Sequence, residues 1–216
     1  LAGGRRNFGK SWPLVIGGKS ERGEDGEIIS LNPSNVSEIV GRVAKASVAQ
    51  ADRAAEAARK AFPAWRDLGV KARAELMRKA AAIMRRRKFE LAAWEVFESG
   101  KPWREADGDI AESIDFLEYY AREAEQIMAV KRRAQVPGEI NENFYQPRGV
   151  ATIISPWNFP LAILTGMASA ALVTGNTIIF KPAEPTVVIG ALLMQVLQEA
   201  GVPPGVANFL PGAGST

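Results

Sequence analysis

Three short segments carry side chains able to do chemistry, and each follows a run of residues that reads as a β-strand. The first is Ser155-Pro156-Trp157-Asn158-Phe159-Pro160. An asparagine amide held at a strand end can donate a hydrogen bond to a developing oxyanion, a contact typically worth ~10²–10³ in rate. From spacing alone, Asn158 fits equally well as an N-cap or Asx-turn residue ahead of a proline-started helix. The second segment is Lys181-Pro182-Ala183-Glu184. A lysine there can bond sugar hydroxyls or a phosphate. A nearby carboxylate can accept from ribose hydroxyls and repel a 2′-phosphate, which favours NAD over NADP. A surface ion pair between Lys181 and Glu184 accounts for the same spacing. The third segment, Pro211-Gly212-Ala213-Gly214, begins a G-x-G whose full phosphate-binding form needs a position beyond Thr216. A simple tight turn explains it equally well.

The elements that must position these segments alternate regularly. A strand over 150–155 leads to a helix from about Pro160 to Val173, which Gly175-Asn176 stops. A buried strand covers 177–181. Pro185 then opens a helix at the position where its missing N–H costs nothing. That helix carries Val188, Leu192, Val196 and Ala200, ends at Gly201 and is followed by Pro203-Pro204. A third strand covers 206–210. Strand, helix, strand, helix, strand with short connections predicts an α/β fold with a parallel sheet and right-handed crossovers. It is half of a dinucleotide-binding, Rossmann-like sheet, in which ligands bind beyond the carboxyl ends of the strands.

Upstream, 14–16, 27–31 and 38–43 read as strands, with Gly17-Gly18 and Asn32-Pro33 as turns. Ser47 and Gln50 predict a capping box. The helix behind it places Val48, Ala51, Ala55, Ala58 and Phe62 on one face, and Pro63 closes it. A second helix from near Lys71 carries Leu76, Ala80, Ile83 and Met84. A third covers 89–97 and ends at Gly100, with Pro102 beyond. A fourth spans roughly 109–128, with Ile110, Ile114, Leu117, Ala121, Ala124 and Met128 as its apolar stripe. Residues 143–146 and 149–155 read as strands. The basic run Arg85 to Lys88 reads as a solvated helix face, with phosphate contact as the alternative. The expected division is 1–138 for strands and helices of a cofactor-binding domain, 139–150 for a hairpin segment, and 151–216 for the start of the nucleotide-binding core.

Composition narrows the classes. With 216 residues, 47% hydrophobic and 24% charged, the chain can bury a sizeable core. A net charge of +3 and a pI of about 9.3 are too slight to argue for a nucleic-acid partner. There is no cysteine and no histidine, which excludes disulfides and any thiolate or imidazole metal site. A reducing, cytoplasmic setting is expected. Residues 1–10 contain no apolar leader, and the apolar stretch 149–180 is interrupted too often to span a membrane. The sequon Asn35-Val36-Ser37 reads as chance. Both ends read as cut, at Leu1 and within the motif GAGST.

Taken together and in order, SPWNFP, GNTIIFKPAE and GVPPGVANFLPGAG resemble the aldehyde dehydrogenase superfamily. The upstream RKAAAIMRRRKFEL, SGKPWREADGDIAESIDFLEYYARE and PGEINENFYQPRGV, with WPLVIGGK and IISLNPSNVSEIVGRVAKAS, resemble the 1-pyrroline-5-carboxylate (L-glutamate γ-semialdehyde) dehydrogenases, the stand-alone enzymes more than the bifunctional proline-utilisation proteins. The resemblance implies that Asn158 is the oxyanion-hole asparagine and that Ile154, Pro156 and Trp157 line the NAD site. It further implies that Lys181 and Glu184 meet the adenosine ribose and that Gly214 lies beside the adenine. Glu112 would meet the substrate's amino group and Phe159 its aliphatic part. Read from the residues alone, Glu112 is a solvated helix position and Phe159 a core aromatic. Residues 139–150 would reach toward a second copy, giving a dimer or higher homo-oligomer.

The implied reaction is attack of a cysteine thiolate on the aldehyde, hydride transfer to NAD, and hydrolysis of the thioester by glutamate-activated water. The product would be L-glutamate, in proline degradation. This sequence departs from that pattern: it holds no cysteine. It also lacks the general-base glutamate segment, the loop near the phosphates and the carboxy-terminal substrate loop. It therefore reads as the front part of a longer enzyme, inactive alone. Two other readings stand beside it. One is a different NAD(P)-dependent aldehyde dehydrogenase, such as a succinate-semialdehyde enzyme, against which the Glu112 region argues. The other is a non-catalytic nucleotide-binding protein ending near Thr216.

Overall fold

The computed structural model describes residues 8–134 and 136–214. Most of the leader region read above (residues 1–7) and the last two residues of the glycine motif lie outside the described residues. The chain begins with β1 (Lys10–Trp12), β2 (Leu14–Ile16), β3 (Lys19–Glu21), β4 (Glu27–Asn32) and β5 (Asn35–Ala44). Four helices follow: α1 (Val48–Asp67), α2 (Val70–Arg86), α3 (Lys88–Ser99) and α4 (Trp103–Ile127). A hairpin of β6 (Lys131–Ala134) and β7 (Asn141–Asn143) then precedes β8 (Val150–Ile154), α5 (Ala162–Val173), β9 (Thr177–Lys181), α6 (Val187–Glu199) and β10 (Ala207–Phe209).

The parallel core forms as the alternation predicts, with β9 hydrogen-bonded to β8 on one side and β10 on the other, all parallel. The sheet has an extension that the periodicity does not announce. β2 pairs antiparallel with β10 and carries β3 at the edge, so the order is β3-β2-β10-β9-β8. Leu14, Val15 and Ile16 are all buried. The turn behind them is locked from the core: Gly17 N–H donates to Asn208 Oδ1 at 2.8 Å, and Asn208 Nδ2 donates to Ile178 and Gly205 carbonyls. A separate sheet, β1-β5-β4, packs on the helical layer.

Several boundaries move, each for a physical reason. α1 runs through Pro63 to Asp67 rather than closing there. Pro63 lies on the exposed side, and the turn beyond is held by Trp65, which is 1% exposed and donates from Nε1 to the Leu172 carbonyl at 3.1 Å. Losing such a side chain typically costs ~3–5 kcal/mol, enough to carry a helix past one missing N–H. The buried face of α1 is Gln50, Ala54, Ala58 and Trp65, rotated from the expected stripe, and Val48 is exposed. The Ser47–Gln50 capping box is present. α4 begins at Trp103, one and a half turns earlier than its apolar stripe suggests, because Pro102 supplies its cap and accepts from Glu105 and Ala106. The strand expected at 143–146 is instead Asn141–Asn143, paired with β6 in an exposed hairpin. α5 starts at Ala162 rather than Pro160.

The basic run on α2 and α3 is tied to carboxylates rather than free: Arg85 to Glu118, Arg86 to Glu199, Arg87 to Glu90 and Lys88 to Asp107, at 2.8–2.9 Å. Arg73 is the opposite case, a buried cation with no acid partner among the described residues. Its guanidinium donates to the carbonyls of Trp65 and Arg66 at the end of α1 and of Val173 at the end of α5. These carbonyls carry the negative ends of two helix dipoles. α4 packs closely on α5, where a Cβ on Gly166 would stand 3.1 Å from the Phe116 ring. Among the described residues, no helix is long and apolar enough to cross a membrane.

Candidate active site

The three segments singled out by residue type meet at the carboxyl edge of the parallel strands. Ile154 and Lys181 are register partners across β8 and β9, so their Cα atoms are about 5 Å apart. The ladder continues for one further bond, Ser155 N–H to the Lys181 carbonyl at 3.4 Å. From there the chain rises off the sheet through Pro156, Trp157, Asn158 and Phe159. Ile154 is 65% exposed, Trp157 58% and Phe159 44%. Large apolar side chains clustered in the open at a strand end mark a binding surface.

Asn158 is exposed, and its side chain hydrogen-bonds to none of the described residues. It is therefore not the cap of α5. That role belongs to Asp109 of α4, whose Oδ1 accepts from the Ala162 N–H at 2.7 Å. The second crossover helix is treated in the same way. α6 has no side-chain cap of its own. Glu98 of α3 accepts from Val188 N–H at 2.7 Å, Ile189 N–H at 2.8 Å and the Ser30 hydroxyl at 2.7 Å. Two carboxylates of the helical layer thus sit on the positive ends of the two crossover helices. They fix where each strand-end loop can lie.

Lys181 is half-buried, Glu184 is exposed at the start of a 3₁₀ turn (Glu184–Thr186), and no ion pair joins them. Both are free to meet a ligand. Gly214 follows β10 in an exposed turn, and a Cβ there would meet nothing within 4 Å. The loop before it is anchored by Ala46 N–H donating to the Pro211 carbonyl at 2.8 Å. Glu112 is exposed on α4, one turn beyond Asp109. The interface of α4 with α5 is its link to the Asn158 segment. Ser155 Oγ, buried and without a hydrogen-bond partner among the described residues, lies at the start of that segment. These features fit a dinucleotide: an apolar surface for a ring, a cation and an anion three residues apart for a ribose, and a glycine-bearing turn on the neighbouring strand.

Residue types alone did not flag four further groups. Lys101 Nζ lies 2.6 Å from Asp109 Oδ2 and 4.3 Å from the centre of the Phe159 ring. Glu95 is fully buried beside them, and among the described residues no hydrogen-bond donor faces either oxygen. Burial, reinforced by the charge of Asp109, pushes its carboxyl up to about 10. Burial likewise pushes Glu98 up to about 7, against the pull of the Val188 amide, the Ser30 hydroxyl and the Ile189 amide. Lys45 pairs with Asp25 at 2.7 Å. Asp25 raises its pKa first by hydrogen bonding and then by charge, and the charge of Glu184 adds to this.

A parallel α/β core with an asparagine, a lysine, a glutamate and a glycine turn at its carboxyl edge belongs to the class of folds that bind ligands beyond the strand ends. The sequence profile of the aldehyde dehydrogenase family matches residues 20–216, and the chain belongs to that family. It is 52% identical over 211 residues to the 1-pyrroline-5-carboxylate dehydrogenase of Geobacillus kaustophilus, covering 96% of this chain and 40% of that protein. It is 49% identical over 210 residues to 1-pyrroline-5-carboxylate dehydrogenase 1 of Halalkalibacterium halodurans. Among solved structures, the 1-pyrroline-5-carboxylate dehydrogenase from Thermus with bound NAD superposes with a TM-score of 0.95 at 51% identity, over 99% of this chain and 42% of that one. Proline utilization A from Bdellovibrio bacteriovorus superposes at 0.97 with 44% identity, over 99% of this chain and 22% of that one. The chain thus spans about 40% of the length of the curated relatives it matches.

Proposed function

We propose that the whole protein to which this chain belongs oxidises L-glutamate γ-semialdehyde to L-glutamate with NAD, a step of proline degradation. The observation that carries the reading is the unpartnered Asn158 amide beside the in-register pair of Ile154 and Lys181. NAD, when bound, accepts the hydride lost by the substrate carbon. In this chain, Asn158 donates a hydrogen bond to the substrate oxygen as negative charge gathers there. Ile154, Pro156 and Trp157 form the apolar wall for the cofactor. Lys181 and Glu184 hold its adenosine ribose, with Gly214 beside the adenine. Phe159 packs on the aliphatic part of the substrate, and Glu112 meets its amino group. Relatives and a solved structure bearing the 1-pyrroline-5-carboxylate dehydrogenase name support the substrate, and the higher identity to the Thermus enzyme than to proline utilization A favours a stand-alone protein.

The proposal extends to assembly and setting. The β6–β7 hairpin and the residues after it expose Val136, Ile140, Phe144 and Tyr145, an apolar set suited to a second copy of the protein. A cytoplasmic location fits a chain without cysteine. The test is turnover by the whole protein of the semialdehyde, succinate semialdehyde and simple aliphatic aldehydes, each with NAD. Preference for the semialdehyde, and a loss of ~10²–10³ in kcat in Asn158→Ala, are expected. A preference for another aldehyde refutes the substrate. NAD-dependent turnover by the 216-residue chain alone refutes the reliance on a nucleophile it does not contain.

A further inference from the structure

We propose that Lys101 is a positioning residue for the oxyanion segment: it holds the Phe159 ring on one side while its partner Asp109 fixes the start of α5 on the other. The proposal rests on reading Asn158 as the oxyanion donor.

The argument begins with Asn158 itself. A donor is effective toward a transition state only when it is already aimed, so that no reorganisation is needed as charge develops. Side chains are usually aimed by their own hydrogen bonds. That of Asn158 has none among the described residues. Its direction must come from the backbone on either side of it. Upstream, the segment is tied to the sheet by Ser155 N–H. Downstream, the Phe159 carbonyl accepts from Ile163 N–H at 3.2 Å, and two further ties both lead to one ion pair.

Asp109 Oδ1 accepts from Ala162 N–H at 2.7 Å, and Asp109 Oδ2 pairs with Lys101 Nζ at 2.6 Å. Lys101 Nζ stands 4.3 Å from the centre of the Phe159 ring. Ring, cation, carboxylate and helix amide therefore close a circuit around residues 159–162, beginning at the residue after Asn158. The circuit is rigid because its anchor is rigid. Gly100 ends α3 in the left-handed conformation, at φ 70°. Pro102 caps α4, and a residue before proline is confined to extended backbone. Lys101 is pinned between them with a side chain 10% exposed, and that of Asp109 is 0% exposed. An ion pair so enclosed is little screened by salt.

A lysine serving only stability would behave differently from one acting through the ring, and the whole protein distinguishes them. Kinetics are measured with whichever aldehyde the wild type oxidises fastest. Lys101→Met is expected to lower kcat by roughly 10–100-fold, as displacement of a catalytic group by about 1 Å does, with the NAD dissociation constant nearly unchanged. Lys101→Arg keeps a cation on the ring and is expected to retain most of kcat. The variant Lys101→Met with Asp109→Asn leaves an acceptor for Ala162 and no orphaned charge. Its melting temperature is expected to return toward that of the wild type while kcat stays at least about tenfold low. Recovery of kcat together with stability overturns the proposal.

If Lys101→Met alone does not fold, the Asp109→Asn background carries the same comparison. A cycle with Phe159→Leu adds a second decision. If Lys101 acts through the ring, Lys101→Met costs little further kcat once the ring is gone, whereas additive losses overturn the proposal. A wild type that prefers another aldehyde refutes the substrate and leaves this test intact. A wild type that oxidises no aldehyde refutes the enzymatic reading. Amide exchange over residues 158–163 then decides, accelerating in Lys101→Met if the circuit holds the segment and remaining unchanged if it does not.

Discussion

Glu95 offers a perturbation of unusual sign, because Glu95→Gln is expected to stabilise the protein, increasingly so as pH rises. Its carboxyl is fully buried, faces no donor, and lies beside Asp109. Burial first and the Asp109 charge second push it from 4.5 to about 10. The folded state therefore keeps a proton that the unfolded chain releases above its ordinary pKa. Since the folded value is the higher, the contribution of this group is fully present below about pH 4.5 and is lost as pH climbs toward 10. The slope is about 1.4 kcal/mol per pH unit. Between pH 4.5 and pH 8 this amounts to at most about 5 kcal/mol. Glutamine imitates the protonated acid in shape and does not titrate. Urea midpoints of the wild type and Glu95→Gln from pH 5 to pH 9 supply the check. The two should be similar near pH 5 and diverge by a few kcal/mol at pH 8, with the variant the more stable. Equal slopes, or a variant destabilised at pH 8, would show that Glu95 is ionised in the folded protein and refute the reasoning.

Three further outcomes are expected. Arg73→Lys cannot span the carbonyls of Trp65, Arg66 and Val173 that the guanidinium joins; a loss of about 2–3 kcal/mol in chemical unfolding is expected, and an unchanged midpoint would refute it. Gly190→Ala places a Cβ 2.6 Å from Pro182 Cγ, on the loop between Lys181 and Glu184. The crowding, about 1–3 kcal/mol, exceeds the helix-propensity gain of up to about 1 kcal/mol, so both melting temperature and NAD affinity should fall; a rise in melting temperature would show that the loop yields freely. If Glu184 meets the adenosine ribose as proposed, Glu184→Gln removes a charge that repels a 2′-phosphate there. The ratio of kcat/KM with NADP to that with NAD should rise about fivefold to tenfold, for ~1–1.4 kcal/mol, and an unchanged ratio would place Glu184 away from the ribose.

What was legible in the sequence is what is local. Gly175-Asn176, Pro185 and Pro203-Pro204 punctuate the alternating core, and β8, α5, β9, α6 and β10 fall between them. The stripe from Ile110 to Ala124 is the buried face of α4. Pro63 misleads because its breaking tendency is local, whereas what carries α1 past it is a contact from Trp65 to Leu172. β2 gives no sign of its partner for the same reason: an apolar run of three residues states that it is buried but not against which strand. At the site, the residue types of Asn158, Lys181 and Glu184 could be read from the strand-end pattern, but their supports could not. A helix capped by its own N-terminal serine leaves a signature, as Ser47 does for α1. α5 and α6 are capped by carboxylates 53 and 90 positions away, and a buried Asp or Glu on a helix looks in sequence like a solvated one.

This arrangement makes the upstream helices hold the strand-end segments, although none of the three lies on them. α3 ends with Glu98 on the amino end of α6, and α4 places Asp109 on the amino end of α5. Lys101 lies in the short turn between α3 and α4 and reaches Phe159. The chain from 95 to 109 is thus one rigid bracket gripping both strand-end loops, the one that carries Asn158 and the one that carries Glu184. A substitution inside the bracket should act on the loop that residue holds: at Asp109 on the one that carries Asn158, at Glu98 on the one that carries Glu184. One in the β6–β7 hairpin should move neither. The upstream half therefore does more than fill space beside the nucleotide-binding core: it sets the relative placement of the two loops, which strands β8 and β9 fix only as far as Ile154 and Lys181.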